Sequence, residues 1–128
     1  MAYNIIVTGT KSFADYELLK KKCDQYFNAL TDGSESDSES IKIITGDDGN
    51  AEKMAQRYAN ENGLESEIYL LEYETYGSLA AKERNTNMVN NADGAICFWN
   101  GSSRGVKMTI DLCRKKGIAC EIIRYNKK

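Results

Sequence analysis

The chain of 128 residues contains no histidine. This absence excludes Ser-His-Asp triads, Cys-His dyads and histidine metal sites, because each of them requires an imidazole. Acid–base chemistry would therefore fall to carboxylates, lysine or tyrosine. The sequence also lacks a CxxC motif, and three of its four cysteines lie in apolar patterns, so we expect small core residues and no zinc site. The cysteines are Cys23, Cys97, Cys113 and Cys120.

A strong excess of charge of one sign and a long apolar run are also missing. The net charge is −2 at pH 7, so no basic field would attract nucleic acid or an anionic membrane. No run approaches the ~20 apolar residues of a membrane span, and no charged segment followed by an apolar stretch comes after Met1. We therefore expect a cytoplasmic protein that contacts no membrane, and nucleic acid is disfavoured as a partner.

Length and composition predict a single globular domain over residues 1–128. A chain of this length supports one core but not two, and 41% hydrophobic and 28% charged residues are ordinary for a globular protein. One segment departs from this composition. Residues 31–40, TDGSESDSES, contain no apolar residue, four acids and four serines. Such a segment buries too little surface to offset its ordering entropy, so we expect a mobile loop there.

Strand and helix patterns alternate along the chain. The predicted strands cover residues 5–8, 41–45, 67–73, 95–98 and 119–123. The predicted helices cover residues 13–30, 51–62, about 78–91 and about 105–116. Five strands alternating with four helices predict a Rossmann-like three-layer sandwich, with a parallel sheet covered on both faces. Right-handed crossovers and doubly wound topology favour the strand order 3-2-1-4-5.

Three glycine-bearing loops follow strands in this arrangement, at residues 8–12, 46–50 and 99–105. They would meet at the carboxyl edge of the sheet, where open α/β sheets bind ligands. In the third loop, Gly101 and Gly105 would let the backbone approach a ligand. The free N–H groups of the following helix would attract negative charge. We therefore predict an anion pocket, and the alternative is a strand-to-helix turn that binds nothing.

Four segments resemble one known family. They are VTGTKSF at 7–13, GDDGNAEKMAQRYA at 46–59, YGSLAAKERNTNM at 76–88 and ADGAICFWNGSSRG at 92–105. Together they resemble the YspA-like branch of the SLOG superfamily, whose relatives include the DprA DNA-processing proteins and the LOG phosphoribohydrolases. The resemblance covers nearly the whole chain. It implies a Rossmann-like fold that binds nucleotides or nucleotide-derived ligands.

The loop patterns and the resemblance together predict thirteen ligand-binding residues. They are Thr8, Gly9, Thr10, Lys11, Gly46, Arg84, Asn85, Trp99, Gly101, Ser102, Ser103, Arg104 and Gly105. Two family arginines that could hold phosphate are missing, because Lys11 replaces one and the second loop reads DDGN where the family has GARG. The ligand therefore carries fewer phosphates here, or binding has weakened or been lost.

Several of these residues have a second interpretation. Arg84 could form a surface pair with Asp93 or Glu83 instead of holding a ligand. Trp99 could cover the core instead of stacking on a base, although its position at a strand end suits stacking. Asp47 and Asp48 could hold a magnesium ion, but a solvated acidic turn is favoured. Ser102 and Ser103 could cap the helix that follows them.

Three classes of function remain open. The first is a binding or sensing domain for a nucleotide-like ligand, with no certain cofactor. The second is a phosphoribohydrolase-like enzyme acting on nucleoside monophosphates, which would need an acid from Asp47, Asp48, Glu83 or Asp111. This function is disfavoured because the resemblance to the LOG enzymes implies a catalytic Glu soon after Gly105, and no carboxylate follows before Asp111. The third is a DNA-associated or interaction protein like DprA.

We also expect a homodimer, since this superfamily commonly pairs through helices beside the sheet and four tyrosines exceed the needs of a small core. They are Tyr58, Tyr69, Tyr73 and Tyr76.

Overall fold

The structure is a computed structural model that describes residues 3–31, 41–47 and 49–125. Its strands are β1 (Tyr3–Gly9), β2 (Ile41–Thr45), β3 (Glu65–Ile68), β4 (Gly94–Trp99) and β5 (Ala119–Arg124). Its α-helices are α1 (Tyr16–Thr31), α2 (Asn50–Glu61), α3 (Tyr73–Tyr76), α4 (Ala80–Asn90) and α5 (Arg104–Lys116), and a 3-10 turn, Gly77–Leu79, joins α3 to α4. Within these ranges, no helix combines the length and the apolar character that a membrane span requires.

The five strands form one parallel sheet in the order β3-β2-β1-β4-β5. This order confirms the predicted Rossmann-like topology. Side chains of successive residues point to opposite faces of a strand, so Ile5 and Val7 share one face of β1 while Ile6 and Thr8 share the other. Because both faces are covered by helices, β1 is apolar on both sides from Ile5 to Val7, and polar side chains lie only near its ends, at Asn4 and at Thr8, where it reaches the carboxyl edge.

The core consists of two apolar layers, one on each face of the sheet. The layer under α1 and α2 includes Ile5, Val7, Leu19, Cys23, Phe27, Ile43, Ala55 and Phe98. The layer under α4 and α5 includes Ile6, Ile44, Met88, Ala95, Cys97, Val106, Ile110 and Cys113. Three cysteines are fully buried in these layers, as the sequence predicts, whereas Cys120 is half-buried at its edge.

The third strand is shorter and earlier than predicted. Strand β3 pairs with β2 from Glu65 opposite Lys42 to Ile68 opposite Thr45, and β2 ends there. One further hydrogen bond joins the two segments, from the Tyr69 amide to the Thr45 carbonyl at 2.8 Å. Beyond it, β2 provides no residues with which β3 could continue to pair. The tyrosine-rich residues 69–73 favour a strand by propensity, but the end of β2 overrides that preference.

Two other expectations need correction. Thr31, assigned to the mobile loop, is the last residue of α1, where its hydroxyl donates to the Phe27 carbonyl at 2.9 Å; the rest of that predicted loop lies outside the described residues. Tyr58, assigned to a subunit interface, is 3% exposed and stacks on Phe27. Its hydroxyl donates to Asp24 at 2.6 Å, so Tyr58 belongs to the core. Tyr73 and Tyr76 are exposed.

A lysine at the end of α5 forms hydrogen bonds to the end of α4, the other helix on this face of the sheet. The Lys116 ammonium group donates to the carbonyls of Val89 and Asn90, both at 2.7 Å, and of Ala92 at 3.3 Å. These carbonyls lie at and just beyond the end of α4, where the regular helical hydrogen bonding stops, and the Val89 carbonyl also accepts from the Ala92 amide at 3.2 Å. A cation is also favoured there by the helix dipole. Lys116 therefore caps α4 from the neighbouring helix.

We expect Lys116→Met to lower the free energy of unfolding by about 1–2 kcal/mol, because charge-assisted hydrogen bonds to three carbonyls are lost. The matched control is Lys115→Met, which removes an exposed charge from the same turn but none of the three hydrogen bonds to the end of α4. Urea unfolding of both variants measures the difference. Equal stability of the two variants would contradict the capping role.

Candidate functional site

The loops after β1, β2 and β4 lie against one another at the carboxyl edge. The Thr10 amide donates to the Phe98 carbonyl at 2.9 Å, and the Thr10 hydroxyl accepts from the Asn100 amide at 3.2 Å. On the other side, the Asn50 amide donates to the Lys11 carbonyl at 2.9 Å. The three loops therefore meet as predicted, at the point where the strand order reverses between β1 and β4.

A buried carboxylate joins two of these strands. Glu52 lies in the first turn of α2 and is only 3% exposed. Its Oε2 accepts from the Thr8 hydroxyl at 3.2 Å and from the Gly46 amide at 3.1 Å. These donors and the N-terminal position in the helix compensate part of the cost of burying an acid. Glu52 therefore fixes the end of β1 to the end of β2.

A buried guanidinium lies beside this carboxylate. Arg84 of α4 is 9% exposed, and its Nε donates to Asn85 Oδ1 at 3.2 Å. Its Nη1 lies 2.6 Å from the position that a Cβ on Gly46 would occupy, and Glu52 Oε2 lies against the same position. Both charged groups thus pack over the bare backbone of Gly46. Arg84 is therefore buried and does not lie on the surface, and the Asp93 carboxylate considered above accepts from the Asn4 amide at 2.9 Å.

The loop after β4 is organised by its own side chains. Asn100 Oδ1 accepts from the amides of Ser102 and Ser103, at 2.8 and 3.0 Å. The Ser103 hydroxyl accepts from the Val106 amide and caps α5, as predicted. Ser102 does not cap the helix, because its place in the chain precedes the N-cap and its amide is held by Asn100. The first-turn amides of Arg104 and Gly105 are the ones left for an anion at this helix end.

Trp99 braces this loop and stacks with a cation. Its indole Nε1 donates to the Ser103 carbonyl at 3.0 Å. The Arg124 guanidinium lies over the indole, 5.3 Å from the ring centroid, within cation–π range. Arg124 also lies against Gly101, whose φ of 90° is a left-handed conformation that glycine adopts easily. The Trp99 indole therefore makes two interactions, a hydrogen bond to the loop through its nitrogen and a cation–π contact with Arg124 through its ring.

A cavity of about 290 Å³ opens on the other side of Arg84, between the end of β3 and α4. It is lined by Glu67, Ile68, Tyr69, Leu70, Glu72, Tyr76, Ala80, Arg84 and Asn87. Residues 99–105 do not line it. The cavity therefore combines one buried cation with two tyrosine rings and two carboxylates, next to the loop after β2.

The contacts described for the predicted residues fall into two groups. Around Glu52 lie Thr8, Gly46, Arg84 and Asn85; around the loop after β4 lie Thr10, Trp99, Gly101, Ser102, Ser103, Arg104 and Gly105. Gly9 has a packing role, since a Cβ there would lie 2.7 Å from the Phe98 carbonyl and 2.9 Å from the Ala51 Cβ. Lys11 uses its carbonyl to hold the loop after β2.

Sequence reasoning missed Glu52 and Arg124. Glu52 could have been found from helical periodicity, because it shares the buried face of α2 with Ala55 and Ala59, three and seven residues later. An acid in that pattern indicates a buried carboxylate. Arg124 could have been found from the strand order, since β5 adjoins β4 and places Arg124 opposite Trp99 at the carboxyl edge.

No protein-family model, curated protein or solved structure matches this chain. The fold and the site by themselves define the class, which is a Rossmann-like α/β protein with charged groups at the carboxyl edge of its sheet. Among the described residues, no group of three or more Cys, Asp or Glu side chains is placed to hold a metal ion. What the arrangement offers chemically is a guanidinium for an oxyanion, aromatic rings for stacking and a buried carboxylate.

We expect Gly46→Ala to destabilise the protein by about 1–3 kcal/mol, because the added methyl group would displace the buried carboxylate and guanidinium over this glycine. Gly105→Ala is the matched control, since a Cβ there meets nothing within 4 Å and no unusual φ is required. Urea unfolding of the two variants provides the test. A Gly46→Ala protein as stable as the control would show that these groups are not packed as described.

Proposed function

We propose that the protein is a binding or sensing domain for a nucleotide or nucleotide-derived ligand at the carboxyl edge of the sheet. The observation that carries this proposal is the position of Arg84. Its guanidinium packs over Gly46 beside Glu52 and also lines the cavity that contains Tyr69 and Tyr76. A guanidinium presents a planar fork of donors that fits a phosphate, and tyrosine rings provide surfaces on which a base stacks.

The charges around the cavity restrict the kind of ligand. Glu67 and Glu72 stand on its wall with a single arginine, Arg84, and only the Glu67 carboxylate is already paired with an ammonium group, that of Lys42 at 2.9 Å. Carboxylates accept hydrogen bonds from ribose hydroxyls but repel additional phosphates. A ligand with one phosphate group near Arg84 therefore fits better than a triphosphate. The resemblance to the SLOG superfamily supports the same ligand class, and the loss of two family arginines agrees with fewer phosphates.

A second candidate function is a phosphoribohydrolase acting on nucleoside monophosphates, and Glu52 is the specific observation in its favour. A buried carboxylate at the carboxyl edge could stabilise positive charge on a ribose ring. Asp111, the first acid after Gly105, suits this role less because it is exposed and pairs with Lys107 at 2.8 Å. We prefer binding over catalysis because Glu52 Oε2 already accepts from Thr8 and Gly46.

The test is calorimetry with AMP, GMP, ADP, GDP, ADP-ribose and NAD. We expect Tyr76→Ala to weaken binding of the best ligand about ten- to a hundredfold, as the loss of one base-stacking surface predicts. Tyr73→Ala is the matched control, because it removes an exposed tyrosine from the same short helix that does not line the cavity. We expect a similar loss for Arg84→Lys, which keeps the charge but removes the fork.

Absence of binding by the unmutated protein to every member of this panel would contradict the proposal, and so would equal losses in the two tyrosine variants. Melting curves accompany each titration, so that a binding loss from unfolding of an Arg84 variant is recognised. A parallel assay measures free base released from AMP and GMP. Release that is abolished in Glu52→Gln would replace the binding function with the hydrolase.

We also propose a homodimer that buries exposed apolar side chains beside the ligand cavity. Tyr73 and Leu79 are 63 and 56% exposed and do not line the cavity, so a partner could cover them without closing it. We expect sedimentation velocity at tens of micromolar to show a dimer, with an interface above ~1,000 Å² in total. Leu79→Glu should shift the protein to monomer, whereas Lys53→Glu on exposed α2 surface should not. A monomeric unmutated protein would contradict this proposal.

A further inference from the structure

A groove of about 350 Å³ lies along the outer face of α5, opposite to Val106, Ile110 and Cys113, which face the sheet. Its lining residues recur every three or four positions, so they form one stripe along the helix. They are Arg104, Lys107, Met108, Asp111, Leu112 and Lys115. Met108 and Leu112 are half-buried, whereas the charged residues around them are exposed. The α5 groove therefore has an apolar floor between charged walls.

The floor of the α5 groove continues towards α4. A second depression of about 300 Å³ shares Leu112 and Lys115 with the groove and is also lined by Thr86 and Val89 of α4. The Asn85 side-chain amide donates to the Met108 sulfur at 3.5 Å, which holds this side chain in place. The surface is therefore formed by two helices that are already packed together.

Charge distinguishes α5 from the rest of this acidic chain. Five of the 17 lysines and arginines lie on α5, but only one of the 19 acids, Asp111, and that acid is paired with Lys107 at 2.8 Å. The cations at residues 114–116 complement the dipole at the end of the helix. Arg104 lies in the first turn, where the dipole disfavours a cation. No carboxylate within the described ranges pairs with Arg104 or Lys115, so both charges are available to a partner.

We propose that the α5 groove docks an acidic amphipathic helix of a partner protein. Carboxylates of that helix pair with Arg104 and Lys115, and its apolar side chains pack on Met108 and Leu112. Methionine suits such a surface because its flexible thioether adapts to different side chains. The stripe from Arg104 to Lys115 is about 17 Å long, which matches about three turns of a helix. This docking surface is independent of the proposed nucleotide site.

The composition of the α5 groove favours this occupant over other anionic ones. A nucleic-acid backbone has no apolar groups for Met108 and Leu112, and the groove contains no aromatic ring on which a base could stack. An anionic membrane requires apolar side chains that insert into it. Met108 and Leu112 are half-buried between cations, so they can receive apolar groups but cannot insert.

The test is fluorescence anisotropy of the full chain with two labelled peptides of about fifteen residues and identical composition. In the first, leucines repeat so that they share one helical face, and glutamate and alanine occupy the others. In the second, the same residues are scrambled so that the leucines share no face. We expect the first peptide to bind at least tenfold more tightly, because only it can place leucines on the floor while its carboxylates reach the cations.

Variants of the groove separate its charged walls from its apolar floor. We expect Arg104→Glu and Lys115→Glu each to weaken binding of the first peptide about fivefold, and Leu112→Glu about tenfold. Lys53→Glu is the matched control, because it reverses an exposed charge on α2 outside the groove, and it should bind like the unmutated protein. A peptide with lysine in place of glutamate should bind the Arg104→Glu/Lys115→Glu double variant more tightly than it binds the unmutated protein.

A further measurement needs no variant to remain folded. In an NMR titration of the unmutated protein, the first peptide should shift the methyl resonances of Met108 and Leu112. The proposal is overturned if the first peptide does not bind, if the scrambled peptide binds equally well, or if the shifts lie outside the α5 groove. It is also overturned if the charge reversals behave like Lys53→Glu, or if oligo-dT or phosphatidylserine vesicles bind these residues more tightly than the peptide does.

Discussion

The buried carboxylate of Glu52 is the interaction on which the carboxyl edge of this protein depends. It accepts hydrogen bonds from Thr8 at the end of β1 and from the Gly46 amide just after β2, and it lies beside Arg84 of α4 over Gly46. Elements from both faces of the sheet therefore meet around one carboxylate. Removing one hydrogen-bond donor from this buried carboxylate leaves part of its charge uncompensated, at a cost of about 1–3 kcal/mol.

This constraint also shapes the surface that a ligand would meet. Arg84 is held rigidly between Gly46 and the cavity beside β3, so its guanidinium is positioned before any ligand arrives. Preorganised donors bind oxyanions without the entropy cost of ordering a flexible side chain. The loop after β4 is likewise preordered, by Asn100 and by the indole of Trp99. The proposed nucleotide therefore meets an arginine that is already positioned, whereas the preordered loop after β4 lies outside the cavity.

The topology could be predicted from the sequence because apolar runs, glycine boundaries and helical periods alternate clearly, and the handedness of crossovers then fixes the strand order. The end of β3 could not be predicted from its own residues, because it is set by the residue at which the partner strand β2 ends. Glu52 was overlooked for a related reason. Its burial follows from the face of α2 on which it lies, whereas its residue type by itself indicates solvent exposure.

The central claim is that Arg84 and its cavity receive the phosphate and base of a nucleotide-derived ligand. The most direct measurement is an NMR titration of the isotope-labelled full chain with AMP and with ADP-ribose. The account predicts that at least one of them shifts the side-chain Nε–H of Arg84 and the amides of Gly46 and Tyr69 together, in proportion to occupancy. The account is contradicted if neither compound shifts any resonance, or if the shifts are confined to residues remote from the carboxyl edge.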